Sequence, residues 1–137
     1  MAELAIGASA KRQKKVTDED IDLFARLTGD RNPLHFDEAF ARGSRFGERV
    51  VQSGITAGIL NAVVAQDLPG PGSVFMEQRL RYLAPVRPGD TITGEVEVTA
   101  VRSDKPIVNL AVSVTRQDGV RVLEGDALVY VARPVGS

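Results

Sequence analysis

The single histidine of the chain, His35, lies five residues after Asp30, within a Gly-Asp-Arg-Asn-Pro-Leu-His segment. In a continuous α-helix with 3.6 residues per turn, this offset points the two side chains about 140° apart. Pro33 excludes that geometry, because proline disfavours helical backbone at the preceding Asn32 and has no N–H to donate. The chain therefore bends here, and the carboxylate and the imidazole can converge. At neutral pH such a pair can orient a reactant and exchange a proton with it, which is general acid–base chemistry.

The same residues also fit a structural role. An Asp-x-Asn-Pro segment commonly forms a helix-ending turn held by hydrogen bonds between side chains and backbone. Asn32 in particular is a frequent turn residue. Spacing alone leaves the chemical and the structural interpretations open.

Length and composition narrow the possible functions. The 137 residues predict a single domain over residues 1–137. A net charge of -1 argues against a dedicated nucleic-acid binder or a membrane-surface protein. With no cysteine and one histidine, neither a metal site nor a disulfide is expected. The first residues do not resemble a signal peptide, and no apolar run approaches the roughly 20 residues of a membrane span, so we expect a cytoplasmic protein.

Helix signals flank the Asp30–His35 segment. Thr17, followed by three acidic residues, predicts an N-cap, and Gly29 predicts the left-handed end of the same helix. Asp37 predicts the cap of a second short helix over residues 38–41, with His35 in the corner between the two helices. The basic cluster at residues 11–15 is interpreted as a solvated strand end. The acid–base candidates thus lie where one helix ends and the next begins.

The rest of the chain predicts one buried helix and a sheet. Residues 54–67 are apolar on nearly every face, which is typical of a buried helix, with Ser53 as its N-cap and the Pro-Gly-Pro-Gly of residues 69–72 as its stop. From Val74 onward the apolar period changes to two, which predicts four antiparallel strands in a meander, the last over residues 120–131. One layer of sheet must then cover one helix.

Asp30 and His35 also belong to a longer pattern. An aromatic, an aliphatic and a small residue precede Gly-Asp-x-Asn-Pro-aliphatic-His, and a small residue follows six positions later. The matching residues are Phe24, Leu27, Thr28, Gly29, Asp30, Asn32, Pro33, Leu34, His35 and Ala41. In this pattern the chain resembles the MaoC-like, (R)-specific enoyl-CoA hydratases. The resemblance implies an α+β hot dog fold, in which a long antiparallel sheet wraps around a central buried helix.

The resemblance implies a function as well. The family adds water reversibly and in syn fashion to trans-2-enoyl-CoA, giving (R)-3-hydroxyacyl-CoA, without a cofactor and commonly as a homodimer. It implies that Asp30 and His35 activate the water. The N–H of Gly54, at the start of the central helix, is the candidate for binding the thioester oxygen. Close packing against a strand is the alternative reason for a glycine there.

Other residues are candidates for contacting the substrate. They are Asn32, Leu34, Ser53, Ile55 and Phe75. Ser53 stands where family members commonly carry a histidine before the helix glycine. Some family members also have a serine on the central helix, and either Asn61 or Ala62 corresponds to it here. The phosphates of coenzyme A require cationic partners. The candidates are Arg79, Arg81, Arg87, Arg102 and Lys105. Each of them also fits an ordinary solvated surface charge. Acyl carrier protein can replace coenzyme A as the substrate handle.

Two further functions fit the same fold. A hot dog thioesterase hydrolyses the thioester, typically with a carboxylate on or near the central helix, whereas here Asp67 lies at the far end of that helix. A non-catalytic acyl-CoA-binding subunit of a dehydratase is the other alternative. Intact Asp30 and His35 argue against that second alternative.

Overall fold

The computed structural model describes residues 4–132. Its helices are α1 (Asp18–Thr28), α2 (Pro33–Phe36), α3 (Glu38–Arg42) and α4 (Ser53–Ala62), and α4 continues into a π-helical turn over Val63–Asp67. Its strands are β1 (Ser9–Lys15), β2 (Ser73–Tyr82), β3 (Thr91–Val101), β4 (Ile107–Arg116) and β5 (Arg121–Val131). The described elements form one sheet and a set of helices, of which α4 lies innermost.

The sheet has the strand order β1-β3-β4-β5-β2, and all neighbours are antiparallel. Strands β3, β4 and β5 form the expected meander. The prediction of a four-stranded meander is wrong in one respect, because β2 pairs with β5 rather than β3. Residues 11–15, interpreted as a strand end, lie in β1, which forms a fifth strand beside β3. Alternation of apolar residues identifies strands but carries no information on which strands are neighbours.

The segment between β2 and β3 therefore crosses the sheet. Three strand spacings of about 4.8 Å separate β2 from β3, a distance that the eight residues 83–90 can span. Within this crossing, the Val86 carbonyl oxygen accepts a hydrogen bond of 2.7 Å from the N–H of Val51, which lies just before α4. The crossing segment is thereby held against the start of the central helix.

The core lies between α4 and one face of the sheet. Leu60 and Val63 of the helix are fully buried, as are the inward-facing residues Val96 of β3, Leu110 of β4 and Leu123 of β5. A helix that is apolar on nearly all sides belongs inside a protein, so the prediction of a buried helix is confirmed. Each such side chain contributes roughly 1.5–3 kcal/mol through removal from water.

Strand β2 differs from its predicted pattern. The period of two that begins at Val74 alternates Val74, Met76, Leu80 and Tyr82 with charged residues, which predicts that these four face the core. Val74 and Met76 are instead 56% and 53% exposed, and Phe75 between them is half-buried. A register shift between Phe75 and Glu77 against β5 changes which side chains face inward. A bulge of this kind cannot be read from alternation, because the pattern on either side of it remains regular.

The predicted ends of α1 are confirmed. Thr17 and Asp20 form a capping box, in which the Thr17 hydroxyl accepts from the Asp20 N–H and the Asp20 carboxylate accepts from the Thr17 N–H. Gly29 ends the helix with φ of 85° and donates its N–H to the Ala25 carbonyl oxygen. Asp30 consequently follows a fixed helix end.

Two local predictions are corrected. His35 lies within the one-turn helix α2, not in a corner between helices, because Pro33 opens that helix and Asn32 caps it. Ser53 is the first residue of α4 rather than its N-cap, a position that Gln52 occupies without a side-chain capping bond. The Gln52 side chain instead donates to the Ile21 carbonyl oxygen, at 3.0 Å, and ties α1 to the start of α4. Asp37 caps α3 as expected.

One substitution made at two glycines is expected to have opposite effects on stability. A Cβ at Gly29 meets no atom within 4 Å, so Gly29→Ala acts only through its left-handed backbone and lowers the free energy of unfolding by about 1 kcal/mol. Gly58 has equally open space but lies inside α4, where alanine is the better helix former, so Gly58→Ala raises stability by about 0.5–1 kcal/mol. Urea unfolding measures both, and equal shifts in one direction would contradict the backbone explanation.

Within residues 4–132, none of the helices combines the length and the hydrophobicity that crossing a lipid bilayer requires.

Candidate active site

Asp30 is oriented by its own turn. Its N–H donates to the Thr28 hydroxyl at 3.1 Å, and that hydroxyl donates to the Phe24 carbonyl oxygen at 2.7 Å. The Oδ1 atom of Asp30 accepts from the Asn32 N–H at 3.2 Å, which is the side-chain to backbone bond typical of such turns. These contacts engage one carboxylate oxygen and leave Oδ2 to face His35.

His35 is held from two directions by the segment that precedes α4. Its Nδ1 donates to the Val50 carbonyl oxygen at 2.8 Å, and Arg49 Nε donates to the backbone oxygen of His35 at 2.7 Å. The Val50 N–H donates to the Leu34 carbonyl oxygen as well. Since a carbonyl oxygen can only accept, Nδ1 carries the proton, and in the neutral ring Nε2 is the basic atom.

The two acid–base candidates face each other. Nε2 of His35 lies 3.7 Å from Oδ2 of Asp30, and the His35 side chain is 10% exposed while that of Asp30 is 39% exposed. This distance exceeds that of a direct hydrogen bond but lets one water molecule bond to both atoms. The structural and the chemical roles use different atoms, because Oδ1 and Nδ1 hold the backbone while Oδ2 and Nε2 point toward each other.

Both atoms belong to a cleft of about 530 Å³. Its lining comes from the turn before α2, from α2 itself, from residues after α3, from the residues on either side of the start of α4, and from the end of β2 and the crossing segment. The lining residues are Asp30, Asn32, Leu34, His35, Arg45, Phe46, Val50, Val51, Ser53, Thr56, Tyr82, Leu83, Ala84, Pro85 and Val86. The lining thus combines polar and apolar side chains, as small-molecule sites usually do.

Five of the predicted site residues line this cleft, namely Asp30, Asn32, Leu34, His35 and Ser53. Asn32 has a turn contact in addition, because its Oδ1 accepts from the Leu34 N–H at 3.1 Å.

The structure does not bring Ile55 and Phe75 to the cleft. Ser53 and Thr56, three residues apart on α4, face it, whereas Ile55 is rotated about 200° from Ser53 and lines a groove on the β1 side of the helix. Phe75 packs against the core from β2. Both residues are apolar, and an apolar side chain can line the cleft or pack elsewhere in the protein. Residue type alone therefore does not predict which of these positions it takes.

Gly54 lies in the first turn of α4 and is not part of the lining. A Cβ built on it would overlap the Phe24 ring, with Cε1 of the ring 2.8 Å away. A side chain at this position would therefore displace the Phe24 ring, which packs α1 against α4. Its N–H remains one of the first-turn donors that have no partner within the helix.

The sequence did not reveal several residues of the site. Val50 and Arg49, which hold His35, are 15 and 14 residues away from it, and Tyr82 and the crossing segment are farther still. Burial raises the pKa of Tyr82, so its hydroxyl stays protonated at neutral pH and can donate a hydrogen bond. No local pattern signals such contacts, because each depends on how distant segments pack.

Arg49 is expected to act as a positioning residue. Its guanidinium joins the His35 backbone to Asp18, so Arg49→Gln loosens α2 and lowers kcat by roughly tenfold with KM little changed. Asp18→Asn removes only the contact with a carboxylate that is 73% exposed, worth at most about 1 kcal/mol, and rates should stay within about twofold. Steady-state kinetics of both variants measures this, and equal losses would contradict a role specific to the His35 contact.

No group of three side chains able to hold a metal ion occurs in the part of the chain that the structure describes.

Comparison with known proteins places these observations in a family. A family model described as MaoC like domain matches residues 3–120. The chain is 39% identical over 126 residues to the (R)-specific enoyl-CoA hydratase of Aeromonas caviae, covering 92% of this chain and 94% of that protein. It is 40% identical over 131 residues to the 3-hydroxybutyryl-CoA dehydratase of Methylorubrum extorquens, covering 96% of this chain and 83% of that protein.

A solved structure agrees with the sequence comparisons. The (R)-hydratase from A. caviae involved in PHA biosynthesis superposes with a TM-score of 0.91 at 37% identity, covering 96% of this chain and all of that one. The five-stranded sheet around α4 is accordingly a hot dog fold. The Gly-Asp-x-Asn-Pro-aliphatic-His pattern, the fold and the family match over residues 3–120 all agree. This chain therefore belongs to the MaoC-like domain family.

Proposed function

We propose that the protein is an (R)-specific enoyl-CoA hydratase that adds water reversibly to trans-2-enoyl-CoA and gives (R)-3-hydroxyacyl-CoA. The observation that carries the proposal is the 3.7 Å approach of Asp30 Oδ2 and His35 Nε2 inside a cleft of about 530 Å³. Relatives about 40% identical over most of the chain, named for enoyl-CoA hydration and 3-hydroxybutyryl-CoA dehydration, support it.

In the proposed reaction, Asp30 and His35 share one water molecule. The water oxygen attacks C3 of the enoyl group while one of its protons passes to the pair, and a proton from the pair is placed on C2. Because both groups act from the same side of the cleft, the hydroxyl and the new hydrogen add to the same face, which makes the addition syn. The reverse sequence removes water from the 3-hydroxyacyl thioester. No electrons are transferred, so the reaction requires no redox cofactor.

Negative charge develops on the thioester oxygen when water attacks, and the first turn of α4 is suited to stabilise it. Ser53 and Thr56 of that turn line the cleft, and the helix dipole is positive at this end. The Gly54 N–H is the proposed donor. Loss of one donor of this kind typically costs about 2.7–4 kcal/mol of transition-state stabilisation.

The remaining assignments concern substrate contacts. We place Asn32, Leu34 and Ser53 against the substrate because all three line the cleft. Ile55 and Phe75 receive no such role, since they lie elsewhere.

A direct assay separates the proposed reaction from its rivals. Purified protein is mixed with crotonyl-CoA, and the loss of enone absorbance is followed together with the release of free thiol. Loss of absorbance without thiol, giving the (R)-3-hydroxy product on chiral analysis, is the expected result. Free thiol would indicate a thioesterase, and an unchanged enoyl thioester that still binds would indicate a non-catalytic subunit. The same assay across acyl lengths, and with acyl carrier protein as the handle, defines the substrate range.

We also propose that the chain forms a single domain, works in the cytoplasm and assembles as a homodimer. Strands β1 and β2 are the free edges of the sheet, and edges are usually protected by pairing. The exposed Val74 and Met76 on β2, next to Tyr130 of β5, support an association on that side. Sedimentation of the purified protein measures the oligomeric state.

A further inference from the structure

Arg45 lines the cleft, and no ion pair joins it to another described residue. It follows α3, is exposed, and places its guanidinium carbon 5.5 Å from the centroid of the neighbouring Phe46 ring. Both residues line the cleft that holds Asp30 and His35. A cation over an aromatic face is held in place without its hydrogen-bond donors being used.

Arg45 is the one lysine or arginine among the described residues of the cleft lining. Within residues 4–132, no carboxylate lies at ion-pair distance from Arg45. The contact found for its side chain among these residues is the one with the Phe46 ring. Nearby arginines differ in this respect. Arg49 is engaged by Asp18 and the His35 backbone, and Arg87 by Glu48 and the Phe46 backbone.

The cations considered from sequence alone are less suitable. Four of them form ion pairs with carboxylates, in the pairs Arg79–Glu77, Arg81–Glu124, Arg87–Glu48 and Arg102–Asp104. Lys105 lies in the turn after β3, at the opposite end of the sheet from Tyr82 and the cleft. Recruiting any of the paired arginines for a ligand would require breaking an existing contact, whereas Arg45 is available as it stands.

We propose that Arg45 binds the phosphate that ends the pantetheine arm of the substrate, a group common to coenzyme A and to a carrier protein's prosthetic arm. The inference rests on the proposed function, which supplies a thioester on such an arm. His35 is buried and Arg45 is exposed, so the thioester lies at the inner end of the cleft and the arm leads outward to the guanidinium. Arginine presents several N–H donors in a plane, a geometry that matches phosphate oxygens.

Binding of saturated thioesters tests the assignment without requiring turnover. Butyryl-CoA, butyryl-phosphopantetheine and butyryl-pantetheine are titrated calorimetrically into wild-type protein and Arg45→Gln. We expect Arg45→Gln to weaken the two phosphate-bearing ligands by about tenfold to a hundredfold and to leave butyryl-pantetheine unchanged. Arg45→Lys, which keeps the charge, should restore part of the loss, and added salt should narrow the difference between wild type and Arg45→Gln.

Arg121→Gln serves as the matched control, because Arg121 lies on the outer face of the sheet, away from the cleft. An effect confined to butyryl-CoA would assign Arg45 to a nucleotide phosphate and overturn the inference. An equal effect on all three ligands, or none, would also overturn it. The hydration assay with crotonyl thioesters then tests the proposed function separately. If binding depends on Arg45 but no hydration occurs, the proposed function is contradicted and the role of Arg45 stands.

Discussion

Replacing Asp30 with asparagine is expected to lower kcat for crotonyl-CoA hydration by at least a hundredfold. The amide cannot accept the proton of the attacking water, which removes one half of the acid–base pair. The turn should survive, because the amide oxygen can still accept from the Asn32 N–H as Oδ1 does in the native protein. Initial rates at saturating substrate measure the loss, and thermal unfolding shows whether the fold is retained.

A matched variant distinguishes this effect from a general loss of charge. Asp22 is an exposed carboxylate on α1, and Asp22→Asn should leave kcat within about twofold of the wild-type value. If folded Asp30→Asn protein retained more than about a tenth of the native rate, the carboxylate would not be the catalytic acid–base group. The proposed mechanism would then be wrong, even though the fold and the family would stand.

Replacing His35 with alanine should lower kcat by a similar or larger factor, because it removes Nε2 from its position opposite Asp30. This variant also deprives the Val50 carbonyl oxygen of its 2.8 Å hydrogen bond, and an unpaired buried acceptor costs about 1–3 kcal/mol of stability. Kinetics and urea unfolding therefore both change. The two effects must be separated before the loss of rate is attributed to chemistry.

His35→Asn makes that separation. The asparagine amide nitrogen can donate to the Val50 carbonyl oxygen as Nδ1 does, but it supplies no basic atom at the position of Nε2. Stability should be partly restored while the rate stays low, and recovery of the rate would contradict a catalytic imidazole. In the double variant Asp30→Asn/His35→Ala, the loss should be no greater than that of the more damaging single variant, since both residues act on one water.

The positions of both members of this pair are fixed by hydrogen bonds. Asp30 is held by hydrogen bonds with Thr28 and Asn32, and His35 is held by hydrogen bonds with Val50 and Arg49. Groups that exchange protons with a substrate must be held close to the productive geometry, because small displacements cost large factors in rate. The contacts on His35 come from residues 14 and 15 positions further along the chain.

Local sequence determined much of this protein. The N-cap at Thr17, the left-handed Gly29 and the buried α4 were predictable, because caps, turns and apolar periodicity act between residues a few positions apart. The spacing of Asp30, Pro33 and His35 also predicted a bend in which a carboxylate and an imidazole can meet. With the resemblance of the surrounding residues, it identified the family and the fold.

Only the tertiary structure decided how these parts are arranged. The pairing of β2 with β5 sends residues 83–90 across the sheet to form one wall of the cleft, and the bulge in β2 exposes Val74 and Met76. It also decided that Ser53 faces the cleft while Ile55 does not, and that Arg45 has no carboxylate partner within residues 4–132. These outcomes depend on contacts between segments distant in the chain, which spacing and periodicity do not encode.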